Sequence, residues 1–158
     1  MKKPNTWLIL ITLYLVIVFA ASSQGGTASG EVSISDGGNK LQAKLKIATI
    51  GNENSIDGFL QYHDEYDKVL IDVTSLKVDG EYAWFAGKCV EGGADYSGRW
   101  LFGAVHDGGK PGRLVDQIWW EWIPAGDNAE SIAKSKVRNM QVPSERKDIQ
   151  SGDIKVAQ

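Results

Sequence analysis

The chain has 158 residues, 42% of them hydrophobic and 23% charged, with 18 glycines, 4 prolines and a single cysteine. That length excludes two comfortable cores, and the balance of apolar and charged residues excludes a disordered chain. A net charge of −3 without any polybasic run excludes the electrostatic footprint of a nucleic-acid binder.

Residues 1–23 read as an export segment. Lys2 and Lys3 make a charged start, a fifteen-residue apolar run follows from Trp7 to Ala21, and small polar residues come next, which is the order of a signal peptide. As a helix the run spans about 22 Å, short of a hydrocarbon core of about 30 Å. Cleavage after Ala20 or two residues later is therefore expected, and the protein is expected to be secreted or extracytoplasmic. The alternative is an uncleaved amino-terminal anchor, with membrane contact only through residues 7–21. Residues 24–28 read as a short linker and 29–158 as one all-β domain. Without Lys2 and Lys3 the exported part is two charges more negative than the whole. Cys89 lies far beyond the apolar run, so it is no lipid-attachment site, and as the sole cysteine it has no internal disulfide partner. It is expected to be a small buried hydrophobe.

From Ser29 the dominant period is two. Val32 and Ile34 lead to an Asp36-Gly37-Gly38-Asn39 turn, after which Leu41, Ala43, Leu45 and Ile47 alternate with Lys40, Gln42, Lys44 and Lys46; this predicts a hairpin with one dry and one wet face. Ile56, Leu60 and Tyr62 share the face of a third strand. Val69, Ile71 and Val73 mark a fourth, Asp79-Gly80 a tight turn, and Ala83, Phe85, Gly87 and Cys89 the inward face of a fifth.

Glu91-Gly92-Gly93 breaks the chain before YSGRWLFGAVH, a strand with apolar residues on both faces, and LVDQIWWEWI follows after a glycine-rich turn. Lys110-Pro111-Gly112-Arg113 within that turn fits type II geometry. The polar segment from Pro124 admits a long loop, a short helix around Glu130 to Lys136, or an edge strand from Val137 to Val142. Ile154 and Val156 predict a closing strand. Seven to nine strands without a long helix predict an antiparallel sandwich or small barrel.

Gly30, the run from Gly58 to Asp64, Val78-Asp79-Gly80 with Ala83, Phe85 and Gly87, the turn from Asp107 to Gly112 with Asp116, and Ser151-Gly152-Asp153-Ile154 occur in an order that spans nearly the whole exported part. In these motifs the chain resembles the small exported microbial β-domains of the post-COAP type. The resemblance implies an exported β-domain and carries over no catalytic residue. The weight of Trp119, Trp120 and Trp122, and the length of the segment from Pro124 to Lys147, depart from that pattern.

The candidate site residues cluster around the tryptophans. Strand parity puts Ile118, Trp120 and Trp122 on the core face and Trp119 outward beside Glu121. A tryptophan face next to a carboxylate resembles a sugar-stacking platform, so Trp119 and Glu121 are the candidate ligand-binding pair. Asp107 and Asp116 flank the glycine-rich turn and are read as turn caps, with a calcium ion as the alternative use of their carboxylates. His63 and His106 each precede an aspartate, but neighbours on a strand point to opposite faces. No nucleophile elbow, phosphate loop or zinc-protease motif is present. These observations favour a non-catalytic binding or surface-interaction module, with an extracellular polysaccharide or surface protein as partner and no cofactor. The alternative is a small β-barrel enzyme or ligand carrier with a cavity lined by Tyr62, Phe85, Trp100 and Trp120, since barrels of about eight strands either fill with side chains or hold one ligand.

Overall fold

The structure is a computed structural model and describes residues 25–36, 38–50, 55–63, 67–109 and 116–158. The export segment and the Lys110–Arg113 turn lie outside these residues. Eight strands form a closed antiparallel barrel in sequence order: β1 (Thr27–Asp36), β2 (Asn39–Ile50), β3 (Ser55–His63), β4 (Lys68–Asp79), β5 (Tyr82–Glu91), β6 (Trp100–His106), β7 (Gln117–Ile123) and β8 (Glu145–Ala157). Of the two expected architectures the chain adopts the barrel, which the pairing of β8 with β1 closes. β1 begins inside the expected linker, because Ala28 already faces the core and is fully buried.

The period-two pattern maps onto the inside of this barrel. Ala28, Val32, Ile34, Leu41, Leu45, Leu60, Ile71, Phe85, Leu101, Val105, Ile118 and Ile154 belong to one buried cluster. Phe85 has room because its neighbour across β6 is Gly103, where a Cβ would stand 2.4 Å from the Phe85 ring. Three register shifts interrupt the ladders, one of them between Leu70 and Ile71 opposite Val90 of β5, and the other two change the phase of an inward series. In β4 the inward series Val69, Ile71, Val73 gives way to Leu76 and Val78 across a register shift between Val73 and Ser75. In β8 the partners of Ser33 and Ile34 are Ser151 and Ile149, so Gln150 is the extra residue.

Between β7 and β8 the chain forms helix α1 (Ala129–Arg138), which is the second of the three readings for this segment; β8 then starts well before Ile154. Ala129, Ala133 and Val137, at successive intervals of four, are the helix's buried face. They pack on the outer wall of the barrel against Trp84, Ala86, Trp100, Phe102, Ala104 and Ile123. This second, smaller core explains why β5 and β6 are apolar on both faces. The ammonium groups of Lys134 and Lys136 lie 6.0 and 5.7 Å from the rings of Trp100 and Phe102, so the helix covers this wall with aliphatic stems as well as small residues. Among the described residues, no helix is long and apolar enough to cross a membrane.

Candidate functional site

One end of the barrel is not filled. A cavity of about 470 Å³ opens there, within the range of small-molecule sites. Its aromatic wall comes from β3, β7 and the short 3-10 turn Ala94–Tyr96 between β5 and β6. Tyr62 and Trp120 stack with ring centroids 5.1 Å apart and planes 15° apart, and Tyr96 meets Trp122 at 5.0 Å with a 42° tilt. Trp120 and Trp122 share this side because parity turns both inward, Trp120 buried and Trp122 at the rim of the core. Leu41 and Asn39 of β2 complete the wall. Two residues further along the same strands, Leu60 and Ile118 are fully buried, and from there the interior is filled.

Four charged side chains line the same cavity: Asp95, Arg99, Glu145 and Lys147. Lys147 is only 6% exposed. Its Nζ donates to Glu145 Oε2 at 2.8 Å and lies 5.2 Å from the Trp120 ring. Burial, reinforced by the Tyr96 hydroxyl, pushes the Tyr62 phenol well above its ordinary value, so Tyr62 enters the site as a neutral hydroxyl. Cys89 is buried as expected, donates its thiol to the Glu91 carbonyl at 3.3 Å, and is also pushed up by burial, the opposite of an activated nucleophile.

The cavity wall differs from the aromatic set expected of a hollow barrel. Tyr62 and Trp120 do line it, but Phe85 belongs to the filled interior and Trp100 points outward under α1. Trp100 has even parity with Phe102 and Ala104, and the helix, not the barrel lumen, receives that face. Tyr96, Arg99, Glu145 and Lys147 are additional to that set. Tyr96 and Arg99 fall in the stretch whose sequence reads as the start of the YSGRWLFGAVH strand, but β6 begins only at Trp100 and Tyr96 closes the 3-10 turn, so both leave the alternation; Glu145 and Lys147 precede the β8 bulge.

Trp119 points outward, as parity requires, but it does not stand clear of the protein. It is partly buried and packs against the cluster beneath α1. Glu121 Oε1 pairs with Lys136 of the helix at 3.0 Å, and Glu121 Oε2 accepts the Ser144 N–H at 3.3 Å. Burial works against the Glu121 charge, yet the Lys136 ammonium and the Ser144 N–H outweigh it and hold the carboxyl below its ordinary range. The pair is thus engaged in seating the helix.

Asp107 and Asp116 act as caps. Asp107 Oδ1 accepts the Gly109 N–H at 2.8 Å, and Asp116 Oδ1 accepts the Gly108 N–H at 2.9 Å. Each also reaches β8, Asp116 Oδ2 accepting Ile154 N–H at 2.6 Å and Asp107 Oδ2 accepting Val156 N–H at 3.1 Å. β7 pairs with β8 only from Ile118 to Trp120, so the two carboxylates stand where a longer β7 would have supplied carbonyls. All four oxygens are occupied by backbone donors. Among the described residues, no group of three or more His, Cys, Asp or Glu side chains is placed to hold a metal.

His106 does not converge with its aspartate neighbour, whose carboxylate accepts the Gly109 and Val156 N–H groups. His63 is exposed at the end of β3, and Asp64 lies outside the described residues. His106 is buried on the outer wall against Tyr82, at 4.3 Å between rings, with Nε2 3.6 Å from Glu81. No protein-family profile, curated protein or solved structure matches the chain.

Proposed function

We propose that the protein is an exported binding barrel that holds a small amphipathic molecule in its open end without transforming it. The observation that carries this reading is the coincidence, in one cavity of about 470 Å³, of two aromatic pairs and four charged side chains at the end of an otherwise filled barrel. Apolar walls with a few placed polar groups are the composition of a ligand site. The charged start and apolar run of residues 1–23 support delivery outside the cytoplasm.

Trp120 and Trp122 stand in the wall, so their fluorescence reports occupancy. Titration with a set of small aryl and alkyl amphiphiles is expected to give saturable changes. Leu41→Trp fills the cavity and is expected to abolish them with the far-ultraviolet dichroism unchanged. A flat response across the set would overturn the reading. Binding to glycans that survives Leu41→Trp and is lost in Trp119→Ala would move the site to the outer wall.

A further inference from the structure

The mouth of the cavity carries two opposite charges that the rest of the chain does not engage. Asp95 and Arg99 both line it, and among the described residues neither side chain has a hydrogen-bond or ion-pair partner. The Lys147 ammonium deeper inside is in the opposite condition, compensated within the protein, with Glu145 Oε2 at 2.8 Å among its partners. Asp95 sits in the 3-10 turn and is exposed, and Arg99 just before β6 is half-buried. Their backbone is tied down on both sides: the Tyr96 N–H donates to the Gly93 carbonyl at 3.0 Å, the Arg99 N–H donates to the Tyr96 carbonyl at 3.1 Å, and the Arg99 carbonyl accepts the Cys89 N–H at 3.0 Å. The two charges are thus carried on a fixed bracket around Tyr96, whose ring meets Trp122 at 5.0 Å.

Resting on the reading of the barrel end as a binding site, we infer that its ligand is a small aromatic ammonium carboxylate, the class of the aromatic amino acids, with its ring against the aromatic pairs and its two charged groups at the mouth on Asp95 and Arg99. The Tyr62–Trp120 stack and the tilted Tyr96–Trp122 pair present ring surfaces to such a body. The Arg99 guanidinium is a planar fork that matches a carboxylate, and the Asp95 carboxylate accepts from an ammonium. A ligand with a single charge would set that charge beside a like one, Asp95 for an anion and Arg99 for a cation, whereas an amphoteric head satisfies both. Exposed charges bind weakly on their own; a ring seated below them displaces water from one side of the head and strengthens both contacts.

Four probes with one ring separate these chemistries by calorimetry at about pH 6, where free α-amines are protonated: L-phenylalanine carries both charges, N-acetyl-L-phenylalanine only the carboxylate, L-phenylalaninamide only the ammonium, and N-acetyl-L-phenylalaninamide neither. Phenylalanine is expected to bind tightest and the doubly blocked probe weakest, each charge contributing about tenfold, the ratio that one charge-assisted bond supplies. Arg99→Gln should weaken only the two probes with a free carboxylate, and Asp95→Asn only the two with a free ammonium. Both positions lie at the mouth and neither side chain holds another, so the fold is expected to survive either change. Equal binding of the doubly blocked probe and phenylalanine, tightest binding of a singly charged probe, or a variant that alters all four probes alike or none overturns the assignment and leaves the binding site standing. So does failure of all four probes where the aryl and alkyl amphiphiles still bind, and failure of both sets overturns the site as well.

Discussion

Asp116 and Ile154 are 38 residues apart, and the carboxylate of the first accepts the backbone N–H of the second at 2.6 Å. The contact lies at the seam of the barrel, where β7 has not yet begun and β8 would otherwise carry an unpaired edge. Ile154 is fully buried, so its N–H has no water to turn to. Hydrogen bonds to charged groups are worth about 1.5–3 kcal/mol, and an orphaned buried donor adds a similar penalty. Asp116→Ala is expected to lower unfolding free energy by about 2–4 kcal/mol on that basis, measured by urea denaturation. Asp116→Asn keeps one acceptor oxygen and should lose less. Equal losses for the two variants would show that the effect is not the acceptor.

Two tryptophans of β7, with Phe85 of β5, provide a test of the barrel's inside and outside. Trp120→Ala empties a site against Tyr62 in the principal core, and Phe85→Ala does the same beside Gly103; each is expected to cost about 3–5 kcal/mol. Trp119→Ala removes a partly buried ring at the margin of the smaller cluster under α1 and should cost less than either. Chemical denaturation of the three variants ranks them, and a Trp119 loss exceeding that of Trp120 would contradict the placement of the two faces.

Much of this architecture is written in the period of the sequence. Leu41, Ala43, Leu45 and Ile47 specify their own face, and so do Trp120 and Trp122, because nothing interrupts the alternation around them. The sequence of the helix segment admits three readings, for its apolar face consists of two alanines and a valine, weak signals against a polar background. Its docking wall left a clearer trace in the two-sided apolar character of Trp84 to Ala86 and Trp100 to Ala104. The cavity was least legible. Lys147 shares an inward face with Ile149, but the extra residue at Gln150 puts both out of phase with Ile154 and Val156, so a lysine inside the barrel reads in sequence as one on its surface. Tyr96 and Arg99 sit in a stretch whose sequence reads as strand, but β6 begins only at Trp100, so the period assigned to them does not apply.

The ion pair between Glu121 and Lys136 ties α1 to the outer wall, and its pH dependence follows from the direction of the Glu121 shift. Unfolded, the carboxyl titrates near 4.3; folded, it is held lower, chiefly because the Lys136 ammonium and Ser144 N–H outweigh the opposing effect of burial. A lowered folded value means that the stabilisation is fully present above the unfolded value and is lost as pH falls through the folded one. Urea midpoints measured from pH 6 to pH 3 should therefore decline on the acid side, and Glu121→Gln should make that decline shallower while lowering stability at neutral pH. The helix should respond first, with its backbone amides losing hydrogen-exchange protection in Glu121→Gln before those of β2 and β3, because α1 is docked on one side of the barrel through this pair and a small apolar face, whereas the strands are held by neighbours on both sides. Identical acid slopes for Glu121→Gln and the unaltered protein would show that this carboxylate does not anchor the helix.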